Sequence, residues 1–237
     1  WGSGATFVDI DNDGDLDIYV CNMGSRNLLY LNQGNGTFLE RGAQFGLDFN
    51  CDSWMASFAD YDRDGDLDCY LLTYRLHYVG KGDPSFSLDR IDGKLAVPRE
   101  YAEEFYLIDG HPEEAGRRDH LFRNNGDGTF TDATASAGMS GIMNHGLSAT
   151  WWDYNNDNWP DLYVANDFKD PDRLWRNNGD GTFTDVLPAM VTYTSWFSMG
   201  SDFGDLNRDG WFDYFVADMS AMNHYRQKME MGAMGAN

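Results

Sequence analysis

Apolar residues in this chain fall in short runs separated by acidic and glycine-rich turns, and the runs repeat. Ile18-Tyr19-Val20, Cys69-Tyr70-Leu71, Leu162-Tyr163-Val164 and Tyr214-Phe215-Val216 are β-branched, aromatic or aliphatic, the composition of strands that pack on a pleated surface. A segment mixing small and aromatic residues precedes each run, at 4–8, 55–59, 147–152 and 199–204. An acidic stretch joins the two members of every pair, so each pair predicts a β-hairpin. In three of the four units a second hairpin follows, turning on Asn35-Gly36, Asp127-Gly128 and Asp180-Gly181. Such dipeptides favour hairpins because both turn residues must take positive φ.

The acidic stretches carry the candidate chemistry. Asp9-Ile10-Asp11-Asn12-Asp13-Gly14-Asp15-Leu16-Asp17 places carboxylates at loop positions 1, 3, 5 and 9 with glycine at 6. Calcium takes six to eight oxygens, and alternate Asp residues in a tight turn can converge on one point while a backbone carbonyl fills position 7. The spacing returns three times, and the candidate ligands are therefore Asp9, Asp11, Asp13, Asp15 and Asp17; Asp60, Asp62, Asp64, Asp66 and Asp68; Asp153, Asn155, Asp157, Trp159 and Asp161; and Asp205, Asn207, Asp209, Trp211 and Asp213. Position 7 contributes its main chain. Glycine permits the bend, and Asn158, which stands at position 6 of the third copy, tolerates the left-handed region better than most residues. An EF-hand would need a glutamate at position 12 and flanking helices. Val20, Leu71, Val164 and Val216 stand there instead, on strands. Loops one and two offer four carboxylates and loops three and four offer three, so the first pair is expected to bind calcium more tightly.

Charge follows from these loops. The net charge of −22 comes from 39 acidic and 17 basic residues. Four bound calcium ions would bring it to −14. Such acidity argues against nucleic-acid and anionic-membrane partners, and no apolar run approaches the length of a membrane span. The chain opens at Trp1 without a signal-like segment, which implies a processed or partial chain. Low-affinity aspartate loops suit the millimolar calcium outside cells, so an extracellular or cell-surface location is expected, with the periplasm an alternative. The three cysteines leave the redox compartment open.

The loops start at residues 9, 60, 153 and 205, a period of about 52 with one insertion of roughly 41 residues. Four short strands per period predict an all-β fold, a β-propeller or propeller arc of about four four-stranded blades with calcium loops in the first hairpin of each. The blades would be 1–50, 51–139 with the insertion at 75–118, 140–190, and a partial fourth at 191–237. The insertion reads either as a decoration over one face or as a lid or partner-binding element. Unit four lacks a second hairpin and ends in a helix-compatible, Met-rich tail. Either further blades follow, or a neighbouring molecule supplies the missing strands by self-association through the blade edges.

Phe-Val-Asp-Ile-Asp-Asn-Asp-Gly-Asp-Leu-Asp together with Asn-Asn-Gly-Asp-Gly-Thr-Phe-Thr-Asp resembles the FG-GAP/VCBS repeat of integrin-α-type propellers. The order of features, with Val164-Ala165-Asn166-Asp167 in the third unit and Phe215-Val216-Ala217-Asp218-Met219 in the fourth, resembles the bacterial ASPIC/UnbV group related to cartilage acidic protein. The resemblance implies seven or eight blades with calcium in the first hairpin. It also implies an extracellular binding, adhesion or structural role rather than catalysis. In blade geometry Cys21 and Cys51 reach the same face of neighbouring blades, which makes a disulfide between them an expectation. Asn22, Thr73, Asn166, Asp167, Lys169 and Asp218 are expected on the face opposite the calcium loops, where a protein or glycan ligand could bind. His120 and His145 show no metal-ligand spacing, and neither a phosphate loop nor a nucleophile elbow is present. Two alternatives stay open beside the binding or structural module: a self-assembling fibre subunit, and a carbohydrate-binding or polysaccharide-active propeller.

Overall fold

The computed structural model describes residues 2–219 except 51, 75–85, 103, 104, 109, 115, 141–143, 168, 169 and 196. Cys51, Lys169 and the 220–237 tail, on which the sequence reading placed a disulfide partner, a face residue and a helix-compatible segment, lie outside the described residues. The fold is all-β. Strands β1 (Gly2–Val8), β2 (Asp17–Asn22), β3 (Leu28–Asn32) and β4 (Phe38–Glu40) form the first antiparallel sheet in chain order.

The second sheet begins with β5 (Ser53–Ala59) and β6 (Asp68–Thr73). The insertion then contributes two hairpins of its own, β7 (Asp89–Ile91) with β8 (Lys94–Ala96) and β9 (Phe105–Ile108) with β10 (His111–Glu114). The chain returns to the sheet as β11 (His120–Asn124) and β12 (Phe130–Asp132). Pairing resumes as though nothing had intervened, with Leu71 opposite His120 and Cys69 opposite Phe122. Strands β13 (Gly146–Trp152), β14 (Asp161–Asn166), β15 (Arg173–Asn177) and β16 (Phe183–Asp185) make the third sheet. The fourth has β17 (Ser198–Gly204) and β18 (Asp213–Asp218). Single helical turns α1 (Gly42–Phe45) and α2 (Leu187–Met190) follow the outermost strands β4 and β16.

Each leading strand carries a bulge at the same place, between residues 2 and 4, 53 and 55, 146 and 148, and 198 and 200. A bulge increases local twist. The leading strands pack in succession, β1 on β5, β5 on β13 and β13 on β17. This approach is close enough that a Cβ on Gly4 would stand 2.7 Å from the Trp54 carbonyl oxygen. The second strands β6 and β14 are buried along their whole length. They read as continuous apolar runs because both faces meet a neighbouring sheet.

The core is divided among the junctions between sheets. Tyr19, Leu29, Leu47, Ala56, Leu71 and Phe122 fill the first, and Leu72, Leu121, Met139, Leu162, Val164 and Trp175 fill the second. Among the described residues the third junction buries Tyr163, Ala165, Leu174 and Leu187, flanked by half-buried Trp152, Tyr154, Tyr214 and Val216. Cys21 and Cys69 are buried thiols of the first junction, and burial pushes the Cys21 thiol up to about 12. Two polar devices recur inside. Asn27, Asp119 and Asp172, each just ahead of a third strand, accept the N–H of Asn22, Thr73 and Asn166. Asp119 and Asp172 also accept the hydroxyls of Tyr70 and Tyr163, whereas the Asn27 amide donates to Tyr19.

Candidate metal centre

Each loop wraps its backbone around its first aspartate. Asp9, Asp60, Asp153 and Asp205 accept the N–H groups of positions 5 and 6 at 2.7–3.1 Å. Asp13, Asp64, Asp157 and Asp209 each accept the N–H of position 7. Positions 4 and 6 take left-handed backbone in every copy: Asn12, Arg63, Asn156 and Arg208 have φ of 58–63°, Asn158 has 69°, and Gly14, Gly65 and Gly210 have 89–99°. The short acidic sequence therefore curls tightly enough to bring alternate side chains inward.

The ninth aspartate closes the loop against the sheet. Asp17 accepts Ile10 N–H at 3.0 Å and Asn32 N–H at 2.8 Å, Asp68 accepts Tyr61 and Asn124, and Asp161 accepts Tyr154 and Asn177. Asp213 accepts only Leu206 N–H among the described residues, since no third strand pairs with β18. Every carboxylate oxygen that accepts one N–H keeps a second lone pair for a cation.

Asp9, Asp11 and Asp17 bring one oxygen each within 4.8 Å of one another, and so do Asp60, Asp62 and Asp68. Asp13 and Asp64 stand outside these triads. Asp62 Oδ1 is buried without a hydrogen-bond partner. Burial, and then repulsion from neighbouring aspartates, raises the carboxyls of Asp11 and Asp62. Burial also pushes Asp68 up to about 8 and Asp161 to about 7, although backbone N–H groups oppose it. Crowded, desolvated carboxylates with an unpartnered oxygen are a donor set that fits a hard cation, whose charge would remove both penalties.

Loops three and four are arranged differently. Asn155 and Asn207 accept the position-5 N–H through Oδ1, and their Nδ2 groups donate to Asp157 Oδ2 at 2.8 Å and Asp209 Oδ2 at 2.9 Å. An amide N–H supplies part of the positive field there. Two position-7 side chains meet another loop and a third is exposed: Asp66 accepts Asn12 Nδ2 at 2.7 Å, Trp159 lies under the Arg63 guanidinium, and Trp211 faces solvent.

Two sets of residues in the site were not anticipated. The position-4 side chains Asn12 and Arg63 reach the next loop, and Asn124 and Asn177 stitch loop to loop. Asn124 Nδ2 donates to Ile10 O and Leu67 O, and Asn177 Nδ2 to Tyr61 O and Pro160 O. Their signal in the sequence is an Asn at the same register of these second hairpins. Asp127 and Asp180 accept the Thr129 and Thr182 N–H and hydroxyl groups, which makes the second hairpins plain Asx turns.

The expected ligand face opposite the loops is corrected in part. Asn22, Thr73 and Asn166 are buried, and their side chains donate to Arg26 O, Arg118 O and Pro171 O. They hold their own connections and are not presented to a ligand. Asp167 accepts Tyr74 Oη–H at 3.0 Å, and His145 Nδ1 lies 2.6 Å from Asp170. His120 stacks with Phe122 and contacts Asp132.

Segments 9–71, 104–164 and 153–216 match the FG-GAP-like repeat. An 84-residue stretch is 36% identical to cartilage acidic protein 1 of Xenopus tropicalis, covering 34% of this chain and 12% of that protein. A 78-residue stretch is 39% identical to the Homo sapiens protein, covering 32% and 12%. The matched stretch thus spans a small part of those relatives' length. Among solved structures, an Agrocybe aegerita lectin described for recognition of non-reducing terminal N-acetylglucosamine superposes with a TM-score of 0.29 at 18% identity, over 90% of this chain and 61% of that one. Among the described residues no helix is long and apolar enough to cross a membrane.

Proposed function

The chain belongs to the FG-GAP-like repeat family, and from that membership we propose that it is a calcium-stabilised β-propeller region acting outside the cytoplasm as a binding or structural module. In this reading the blades are 1–50, 51–139 with the insertion at 75–118, 140–190 and a partial fourth at 191–237, and the four acidic loops are the ion sites. The observation that carries the reading is the pair of carboxylate triads, one of which holds the orphaned Asp62 Oδ1. Calcium would neutralise carboxylates that folding has crowded and dried. The chain's own residues hold the site open: Asp17 and Asp68 are clamped by backbone N–H groups, and Gly14 and Gly65 turn the loop. The role assigned is non-catalytic.

Calcium then supplies stability by mass action. A site with a dissociation constant of about 10 μM in about 1 mM calcium would stabilise the fold by roughly 2.7 kcal/mol. Thermal melts in calcium and in EDTA test this, with isothermal titration beside them. Chelation should lower the midpoint by about 10 °C if two or more sites fill. An unchanged midpoint together with no binding heat would end the calcium reading.

A second reading, self-association, is favoured by the apolar surface around β18, where Tyr193, Phe212 and Phe215 are 87%, 57% and 62% exposed. Patches of this kind mark interaction sites. Sedimentation velocity over a concentration series separates the two: a single monomeric species throughout argues against assembly.

A further inference from the structure

We infer that the ion sites are coupled in series, with Asn12 and Asn124 as the positioning residues that make loops one and two respond to each other. This rests on the calcium reading above. Asn12 lies between Asp11 and Asp13, two candidate ligands of loop one. Its Nδ2 donates to Asp66 Oδ1 at 2.7 Å and to Gly65 O at 3.2 Å. Asp66 is the residue whose carbonyl occupies position 7 of loop two, and its own N–H is bound to Asp64 Oδ1. One side chain flanked by two ligands of the first site therefore grips the main chain between two ligands of the second.

The second bridge has the same logic. Ile10 lies between Asp9 and Asp11, and Leu67 between Asp66 and Asp68. Asn124, buried to 4% exposure, donates from one Nδ2 to both carbonyls at 3.3 Å, while its N–H holds Asp68 Oδ1 at 2.8 Å. A shift in either loop as its ligands close on a cation is passed to the other through a buried amide whose alternative is an unsatisfied polar group. The next junction repeats the device: Arg63, flanked by Asp62 and Asp64, sits 5.2 Å over the Trp159 ring, and Asn177 joins Tyr61 O to Pro160 O. Between loops three and four no hydrogen bond is formed among the described residues. Among the described residues the bridges thus join loops one, two and three.

Coupling between sites is reciprocal, and values of fivefold and upward are usual for allosteric pairs. The test is calcium titration of the whole chain by calorimetry, with the Gly65 and Asp66 amide resonances followed in parallel. Asn12→Gly removes the bridging amide and keeps the left-handed backbone. Arg208→Gly is the matched control at position 4 of loop four. In the native chain loops one and two should fill as a cooperative pair, and Asp64→Ala should weaken loop one by about fivefold. Asn12→Gly should reduce the cooperativity to what the Asn124 bridge alone carries and lower loop-two affinity, while Arg208→Gly changes neither. Native-like isotherms and amide shifts in Asn12→Gly would overturn the coupling and leave calcium binding standing. No calcium heat in the native chain would overturn both.

Discussion

The third and fourth sheets begin with the same hairpin and the same loop, and then diverge. In the third, Leu162 and Val164 are fully buried and Asp161 has both oxygens bound by main-chain N–H groups. In the fourth, Tyr214 and Val216 are half-buried, Phe215 is 62% exposed, and Asp213 holds one N–H among the described residues. Loop geometry survives this loss: Asp205 accepts the same two N–H groups as Asp153, at similar distances. The loop is therefore a local device, fixed by nine residues, whereas the sheet's stability depends on a second hairpin and on a neighbour. Local hydrogen bonds specify shape, and apolar burial between sheets supplies most of the free energy.

The largest expected effect comes from breaking burial on the complete side. Leu162→Ala deletes a fully buried side chain at the second junction and should cost about 2–5 kcal/mol. Phe215→Ala, at an exposed position of the fourth sheet, should cost less than about 1 kcal/mol. Urea midpoints measured on both variants check the difference, and equal losses would show that β18 is covered in solution.

Next comes the loop closure. Asp161→Ala leaves the Tyr154 and Asn177 N–H groups without their acceptor in a buried place, and Asp213→Ala frees only the Leu206 N–H. Losing hydrogen bonds to a charged acceptor costs about 1.5–3 kcal/mol each. A loss of about 3 kcal/mol is expected for Asp161→Ala and roughly half of it for Asp213→Ala. Measuring both in EDTA keeps ion binding out of the comparison.

A smaller effect separates the polar supports of units one and two. Asp119 is buried against Tyr70 and the Thr73 N–H, and desolvation pushes its carboxyl up to about 7. An unfolded aspartate titrates near pH 4. Between about pH 4 and pH 7 the folded chain holds a proton that the unfolded chain has lost, so this group's contribution to stability falls as pH rises through that window and is level above it. Asn27 fills the same place in unit one as a neutral amide donating to Tyr19. Asp119→Asn should therefore gain about 1–3 kcal/mol at pH 8 and flatten this part of the stability profile. A variant no more stable than the native chain at pH 8 would refute the assignment.

The strand hairpins were legible because two signals agreed at each: a β-type apolar run and a turn with a steric reason. The acidic loops were legible as tight turns because their hydrogen-bonding pattern is local, written in nine consecutive residues. What was not legible is long-range. Nothing near Asn124 says that its amide will reach Ile10 O, 114 residues away in sequence. The expected ligand face failed in part for the same reason: Asn22, Thr73 and Asn166 are polar at strand ends, and whether such groups face solvent or cap a loop depends on the connection that follows. Asp119 and Asp172 are buried by contacts with β6 and β14 that the residues around them in sequence do not announce.

The smallest effect concerns position 6, where loops two and three differ in residue and in backbone. Gly65 has φ of 99° and Asn158 has φ of 69°. The left-handed well open to residues with a Cβ lies near φ of +50 to +70°, and Asn enters it more easily than most. Asn158 thus sits inside a well that it tolerates, and its N–H is bound to Asp153 Oδ2 at 2.7 Å. Asn158→Gly removes little strain and adds chain entropy to the unfolded state, so the two terms oppose and the net change should stay within about 0.5 kcal/mol. Gly65→Asn runs the swap the other way. At φ of 99° the Cβ meets no atom within 4 Å, so the penalty is backbone strain alone, about 1–2 kcal/mol. Thermal melts of the two variants in EDTA should show this asymmetry. Equal and small changes would mean that loop two relaxes to the loop-three geometry, and that the difference in φ between the copies is set by the residue rather than by the loop.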